Sequence, residues 1–248
     1  MLMLLQQTID RLHEMKLTGM AQALEEQRGI PDMQDLSFDD RLALLLERES
    51  TTRADRRLKR LLQLARLRLQ ASVEDVDFRV RRGLDKSVFL RLAGCDWIRQ
   101  NQVVLIVGAT GTGKTYLSCA LGLAACRQGL RVRYMRLPRL FNDLGIARAD
   151  GSYGKLLASL SRVDLLILDD WGLAPMADKE RRDLLEIVED RYGRRATLVT
   201  SQLPVEHWHE LVGDPTFGDA ILDRLLHQAH RITLKGTSMR KKATNKGE

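Results

Sequence analysis

Aromatic residues are scarce in this chain: Phe, Tyr and Trp make up 5% of 248 residues. That shortage leans the chain towards helices and aliphatic packing and away from a β-sandwich. Cysteine is rarer still. Cys95, Cys119 and Cys126 are odd in number and show no CxxC spacing, which argues against a disulfide frame and for a reducing compartment. No apolar run approaches the roughly 18 residues of a membrane span. The start, MLMLLQQTIDRLHEM, lacks a basic n-region and a small-residue cleavage site, so it is not expected to be a secretory signal. A cytoplasmic location and no membrane partner follow as expectations. His207/His209 and His227/His230 find no cysteine or acid at a spacing that would complete a zinc set.

What is present is ordinary hydrophobic content, 44%, and a surplus of 40 Lys+Arg over 33 Asp+Glu, giving a net charge of +7 that favours a polyanionic partner. Residues 1–80 read as nearly continuous helix. Leu5, Ile9 and Leu12 recur at helical spacing, the run breaks at Gly29-Ile-Pro31, and Ser37 with Asp40 resembles a capping box opening a second run at Phe38. Residues 81–100 read as a linker. Beyond them, apolar runs at Val103–Val107, Arg131–Arg136, Leu165–Leu168, Thr197–Thr200 and Arg231–Leu234 alternate with helical stretches at 114–127, 138–147, 178–192 and 218–229. That rhythm predicts an α/β fold with a parallel sheet covered by helices, over residues 101–235. Residues 236–248 form a basic tail.

The first apolar run ends in Gly108, Ala109, Thr110, Gly111, Thr112, Gly113, Lys114 and Thr115, a complete GxxxxGK[ST] motif opening a helix. Its glycines let successive backbone N–H groups wrap a phosphate, and the helix start adds its positive dipole end. Lys114 is expected at the β- and γ-oxygens of ATP, and the Thr115 hydroxyl on Mg2+. Leu165–Leu168 ends in Asp169 and Asp170. Asp169 is placed to hold Mg2+ through water, and Asp170 to deprotonate the attacking water. The fourth strand ends in Ser201-Gln202, where a polar side chain would sit near the γ-phosphate; Gln202 is the first choice and Ser201 the second. Arg224, just before the last strand, is a candidate arginine finger for a neighbouring subunit's site, or else a partner of Asp223 or a surface charge.

In that order, Gly108–Thr115, Leu165–Asp170, Thr200-Ser-Gln202 and Asp223-Arg224-Leu225 resemble an AAA+ ATPase of the initiator clade. Arg82-Gly-Leu-Asp-Lys86, Cys95-Asp-Trp97-Ile98, Leu168-Asp-Asp-Trp-Gly172 and Gly236-Thr-Ser-Met-Arg240 bring it nearer to the IstB-type transposition helpers, next to the DnaC-type helicase loaders. The resemblance implies sheet order 5-1-4-3-2, nucleotide-base contacts from residues 81–100, and an ATP-dependent homo-oligomer with intersubunit sites. It further implies a protein that binds and remodels duplex DNA and recruits an integrase-type transposase. The runners-up are a helicase loader acting on single strands and an ATP-gated scaffold with little turnover. Two departures stand out: Asp170 occupies a position usually held by Glu, and no helical lid follows Leu234, leaving Arg240 as the one candidate for the lid arginine. No Ser–His–Asp or DDE-type constellation is identifiable, so the chain is not expected to cut or join DNA itself.

Two segments are candidates for DNA contact. Thr51–Gln70 places Arg53, Arg57, Arg60 and Arg68 on one helical face opposite Ala54, Leu58, Leu61, Leu62, Ala65 and Leu69, and Arg56 adds to the same charge run. A solvated helix face is the alternative. The second candidate is the segment between the second and third strands, with Arg136, Arg139, Arg148 and Lys155. Phosphate contacts of this kind position a protein without reading sequence, so low sequence specificity is expected. Trp171 is expected to pack rather than touch DNA.

Overall fold

The computed structural model describes residues 2–30, 33 and 35–239. The chain divides into two compact units, Met1–Arg60 and Leu61–Glu248.

The first unit is helical: α1 (Leu2–Glu14), α2 (Thr18–Gln27) and most of the long α3 (Phe38–Ala65). α3 starts where the sequence indicates. The Asp40 N–H donates to the Ser37 hydroxyl at 3.1 Å, and that hydroxyl donates to the Asp40 carboxylate at 2.6 Å. Asp39 and Asp40 occupy the first turn, where the helix dipole favours acids. Deeper in the unit, the buried Glu49 carboxylate accepts the Gly19 and Met20 N–H groups at 2.7 and 3.2 Å. These are donors at the start of α2 with no partner inside their own helix. Arg53 balances the charge at 2.7 Å.

The second unit is built on five parallel strands, β1 (Val103–Gly108), β2 (Val132–Arg136), β3 (Leu165–Trp171), β4 (Ala196–Ser201) and β5 (His230–Leu234), in spatial order β2-β3-β4-β1-β5. This is the expected order read from the other edge. The central strands are apolar along their length because both faces are covered: Leu105, Ile106, Leu166 and Leu168 are fully buried. Around them run α4 (Lys86–Ala93), α5 (Asp96–Arg99), α6 (Lys114–Arg127), α7 (Leu137–Ala149), α8 (Tyr153–Arg162), α9 (Asp178–Arg191), α10 (Trp208–Val212) and α11 (Pro215–Leu226). The pairing sets Val107 beside Ser201 and Arg136 beside Asp169. The turns that leave β1, β3 and β4 therefore gather at one edge of the sheet, where open α/β folds bind ligands.

The structure departs from expectation in several places. Residues 81–100 are not an extended linker: Asp85 caps α4 by accepting the Ser87 and Val88 N–H groups at 2.7 and 3.1 Å, and Phe89, Leu92, Trp97 and Ile98 are buried. Residues 61–80 belong with the sheet rather than with the helical unit, because Ala65, Ala71 and Val76 are buried there and Glu74 pairs with Arg127 at 2.8 Å. α11 begins three residues before the expected 218, since Asp214 accepts the Phe217 N–H at 3.0 Å and Pro215 has the φ of a first helical residue. β3 continues through Asp169 and Asp170 to Trp171. Trp171 is fully buried, its ring 4.8 Å from that of Trp208. Among the described residues no helix is long and apolar enough to cross a membrane.

Arg53, followed by the two helix N–H groups and against the desolvation of burial, holds the Glu49 carboxyl below its usual value. A depressed folded-state pKa contributes stability above the unfolded pKa and loses it as the pH falls through the folded one. Glu49→Gln should therefore lower the melting temperature at neutral pH, and the gap from wild type should shrink as the pH is taken below about 4. Thermal melting across that range checks this; a constant gap would contradict it.

Candidate functional site

The turn after β1 is shaped by glycines that no other residue replaces freely. Gly111 and Gly113 have φ of 79° and 98°, in the left-handed region. A Cβ on Gly113 would strike the Arg82 guanidinium, and one on Gly111 the Ser238 side chain. Two segments distant in sequence thus abut the turn. Arg82 Nη1 donates to Thr112 O at 3.0 Å, and the Met239 N–H donates to Gly111 O at 2.8 Å. α6 starts at Lys114, so its first N–H groups point into the turn. The Lys114 ammonium, almost wholly buried, donates to Gly108 O and Ala109 O at 2.7 and 3.0 Å.

The end of β3 meets this turn. Asp169 is 1% exposed and accepts from three hydroxyls: Thr115 at 2.9 and 3.2 Å, Tyr134 at 2.5 Å, and Thr200. The pairing of β3 with β4 shifts register between Leu168 and Trp171, and Asp170 within that bulge has φ 63°. Bulges re-aim side chains beside active sites. Here the Asp170 carboxylate faces a cavity of about 640 Å³ together with Gly111, Gly113, Lys114, Thr115 and Gln202. Arg136 donates to Asp170 at 2.5 Å, and the Asp170 N–H reaches Thr200 Oγ1 at 3.3 Å.

The donors suit a hard divalent cation. A hydroxyl and a carboxylate stand side by side at the phosphate turn, while among the described residues no three of His, Cys, Asp and Glu are grouped to cage a metal. Mg2+ is held in that way, by one or two protein oxygens, waters and phosphates. Of the two candidates after β4, Gln202 lines the cavity, whereas the Ser201 hydroxyl is buried between Trp171 O at 3.0 Å and the Leu203 N–H at 3.1 Å.

Arg224 lies elsewhere. It pairs with Glu189 at 2.6 Å, not with Asp223, and lines a cleft with Gln102, Val103 and Thr197, at the edge where β1 and β4 begin. A strand of this length separates the two edges by about 20 Å, so Arg224 does not serve the phosphate turn of its own chain. Arg240 lies outside the described residues.

The residues expected at DNA divide into groups. Arg53, Arg56, Arg57 and Arg60 are exposed on α3. Arg68 is not on that helical face: α3 ends at Ala65, Arg66 turns the chain with φ 50°, and Arg68 lines the phosphate cavity. Arg136 lines it too. Arg139 pairs with Asp143 at 2.9 Å, and Arg148 pairs with Asp183 and lies 3.9 Å from the centre of the Tyr153 ring. Lys155 is exposed on α8. Tyr134, Thr200 and Arg82 join the site in roles that the sequence does not specify. The signal for the first two was topological: in this strand order, residues near the ends of β2 and β4 flank the end of β3. Arg82 is 5% exposed and burial holds its guanidinium below the ordinary range.

Comparison with known proteins accords with this geometry. The family model described as IstB-like ATP binding protein matches residues 10–247. A Sinorhizobium fredii protein named as an insertion sequence ATP-binding protein is 53% identical over 244 residues, covering 98% of this chain and 100% of its own. Among solved structures, that of DnaI superposes with TM-score 0.59 at 21% identity, over 67% of this chain and 92% of that one. The DnaC helicase loader gives 0.53 at 19%, over 60% and 88%. At such identities the two structures share the fold.

Gly113→Ala should weaken the binding of a fluorescent ATP analogue by roughly tenfold, since a left-handed Cβ costs about 1–2 kcal/mol before the clash with Arg82 is counted. Equal affinity in a titration would show that the turn does not hold the phosphates.

Proposed function

The chain belongs to the IstB-like ATP-binding protein family, and from that premise we propose that it is a Mg2+-dependent ATPase that assembles on duplex DNA and delivers it to an integrase-type transposase. The observation that carries the ATPase reading is the hydroxyl–carboxylate pair of Thr115 and Asp169 beside a second acid, Asp170, in one cavity with Lys114. Lys114 and the glycine turn bind the β- and γ-phosphates, and Thr115 with Asp169 holds the ion. The ion supplies neutralisation of charge on the phosphate oxygens. Gln202 orients a water, whose oxygen attacks the γ-phosphorus while the bond to the bridging β-oxygen breaks. Asp170 takes the water's proton. A carboxylate one methylene shorter than Glu and already paired with Arg136 favours slow turnover.

The oligomer rests on polarity. Arg224 sits at the sheet edge opposite the phosphates, so it supplies a guanidinium to the terminal phosphate of a neighbouring copy, which ties nucleotide binding to assembly. The exposed Arg53, Arg56, Arg57 and Arg60 contact DNA phosphates, and such contacts multiply along a polymer. The insertion-sequence name of the Sinorhizobium fredii relative supports transposition as the setting. A helicase loader acting on single-stranded DNA is the competing reading. Preference for duplex over single strands separates the two.

Trans-complementation tests the shared site. Arg224→Ala and Asp170→Asn should each lose most phosphate release with DNA present. Mixed in equal amounts they should regain part of it, because an Arg224→Ala pocket keeps Asp170 and receives Arg224 from the other variant. A mixture no more active than its components, or an Arg224→Ala protein as active as wild type, would remove Arg224 from the reaction. In a separate titration, Arg53→Gln, Arg57→Gln and Arg60→Gln together should reduce the slope of log affinity for duplex against log salt by about 2–3. An unchanged slope would return α3 to a solvated face.

A further inference from the structure

Helical periodicity predicts Arg68 on a helix face expected at DNA; its surroundings in the structure suit another task. Its Nη1 lies 3.7 Å from Asp170 Oδ2 and 3.9 Å from Asp169 Oδ2. Asp169 also accepts from the Tyr134 hydroxyl at 2.5 Å. Arg136 takes Asp170 from another side at 2.5 Å. Both acids required by the proposed reaction are therefore covered by guanidinium groups of their own chain.

Arg68 is the looser of the two. Its distances to the carboxylates are those of an ion pair without a hydrogen bond, and its side chain is 44% exposed towards the cavity that Gly113, Lys114 and Thr115 also line. A triphosphate entering that cavity offers oxygens carrying about four negative charges, in the planar spacing a guanidinium fork matches. The glycine turn wraps the β-phosphate, which a diphosphate and a triphosphate share. The added phosphate of the triphosphate lies on the side of Asp170, because the water that Asp170 activates must attack it.

We propose that Arg68 contacts the terminal phosphate of a nucleoside triphosphate bound in its own chain, and leaves Asp169 and Asp170 to do so. This rests on the proposed nucleotide site. Triphosphate then draws Arg68 off both acids and leaves Asp170 paired with Arg136 alone, whereas diphosphate leaves Arg68 in place. Arg68 lies three residues beyond the end of α3, the helix that carries Arg53, Arg56, Arg57 and Arg60.

The test uses the full chain without DNA, titrated with fluorescent ADP and with a nonhydrolysable ATP analogue. Arg68→Gln should weaken the analogue roughly tenfold and ADP by no more than about twofold. Arg68→Lys, which keeps the charge and loses the fork, should fall between. Equal losses for both nucleotides would make Arg68 a structural residue, and no loss for either a bystander; each overturns the proposal. If Arg68→Gln does not fold, Arg68→Lys decides: a triphosphate-to-diphosphate affinity ratio lowered by about threefold supports the contact, and an unchanged ratio overturns it. Lys114→Ala separates the premise from the inference. Loss of both nucleotides upholds the site, and wild-type binding of both removes the site itself, whatever Arg68 does.

Discussion

A carboxylate cannot stay charged and buried unless its oxygens are satisfied, and Asp169 meets that demand with hydroxyls from three separate elements. Thr115 comes from α6, Tyr134 from β2 and Thr200 from β4. Each lies beside the end of β3 because of the strand order, so the acid and the sheet specify one another. The placing of the phosphate turn follows from it. Thr115 is the residue after Lys114, and its hydroxyl bond to Asp169 fixes the first turn of α6 against the acids. The bulge that follows then aims the next carboxylate, Asp170, into the cavity instead of back into the core. Burying Tyr134 against Asp169 raises the phenol well above its ordinary value, so it remains a hydroxyl donor at any physiological pH.

The second constraint is the polarity of a parallel sheet. All strands end at one edge, so phosphate turn, acids and Gln202 gather there, while α11 delivers Arg224 to the edge where strands begin. In the proposed cycle, a chain with its acids at one end and Arg224 at the other is completed by a second copy. The cationic groups that do reach the acids from within the chain, Arg68 and Arg136, cover them. In the proposed cycle Arg68 and Arg224 play opposed parts: Arg68 restrains the acids of its own chain until triphosphate arrives, and Arg224 completes a neighbour's site.

Much of this was legible in the sequence, because the relevant signals are local. A GxxxxGK[ST] turn between an apolar run and a helix, and a buried strand ending in two acids, specify their own geometry. The strand order came from resemblance to a family rather than from the residues. What the sequence concealed depended on single backbone conformations or on distant partners. Helical periodicity carried α3 on to Gln70, but Arg66 adopts a left-handed conformation and sends Arg68 to a different site. Arg136 reads as one more base in a basic segment until β2 is seen to lie next to β3. α4 reads as linker in the sequence because eight residues give little periodicity, although Asp85 with Ser87 marks its start.

The central claim is that triphosphate bound at one chain's turn is completed by the next chain, so that nucleotide and duplex together build an assembly. Particle masses of the full-length protein, measured with Mg2+ and a nonhydrolysable ATP analogue, with a long duplex, and with both, address it directly. The account predicts multi-copy particles that depend on nucleotide and grow with duplex length. Single copies scattered on the duplex at saturating analogue would contradict it.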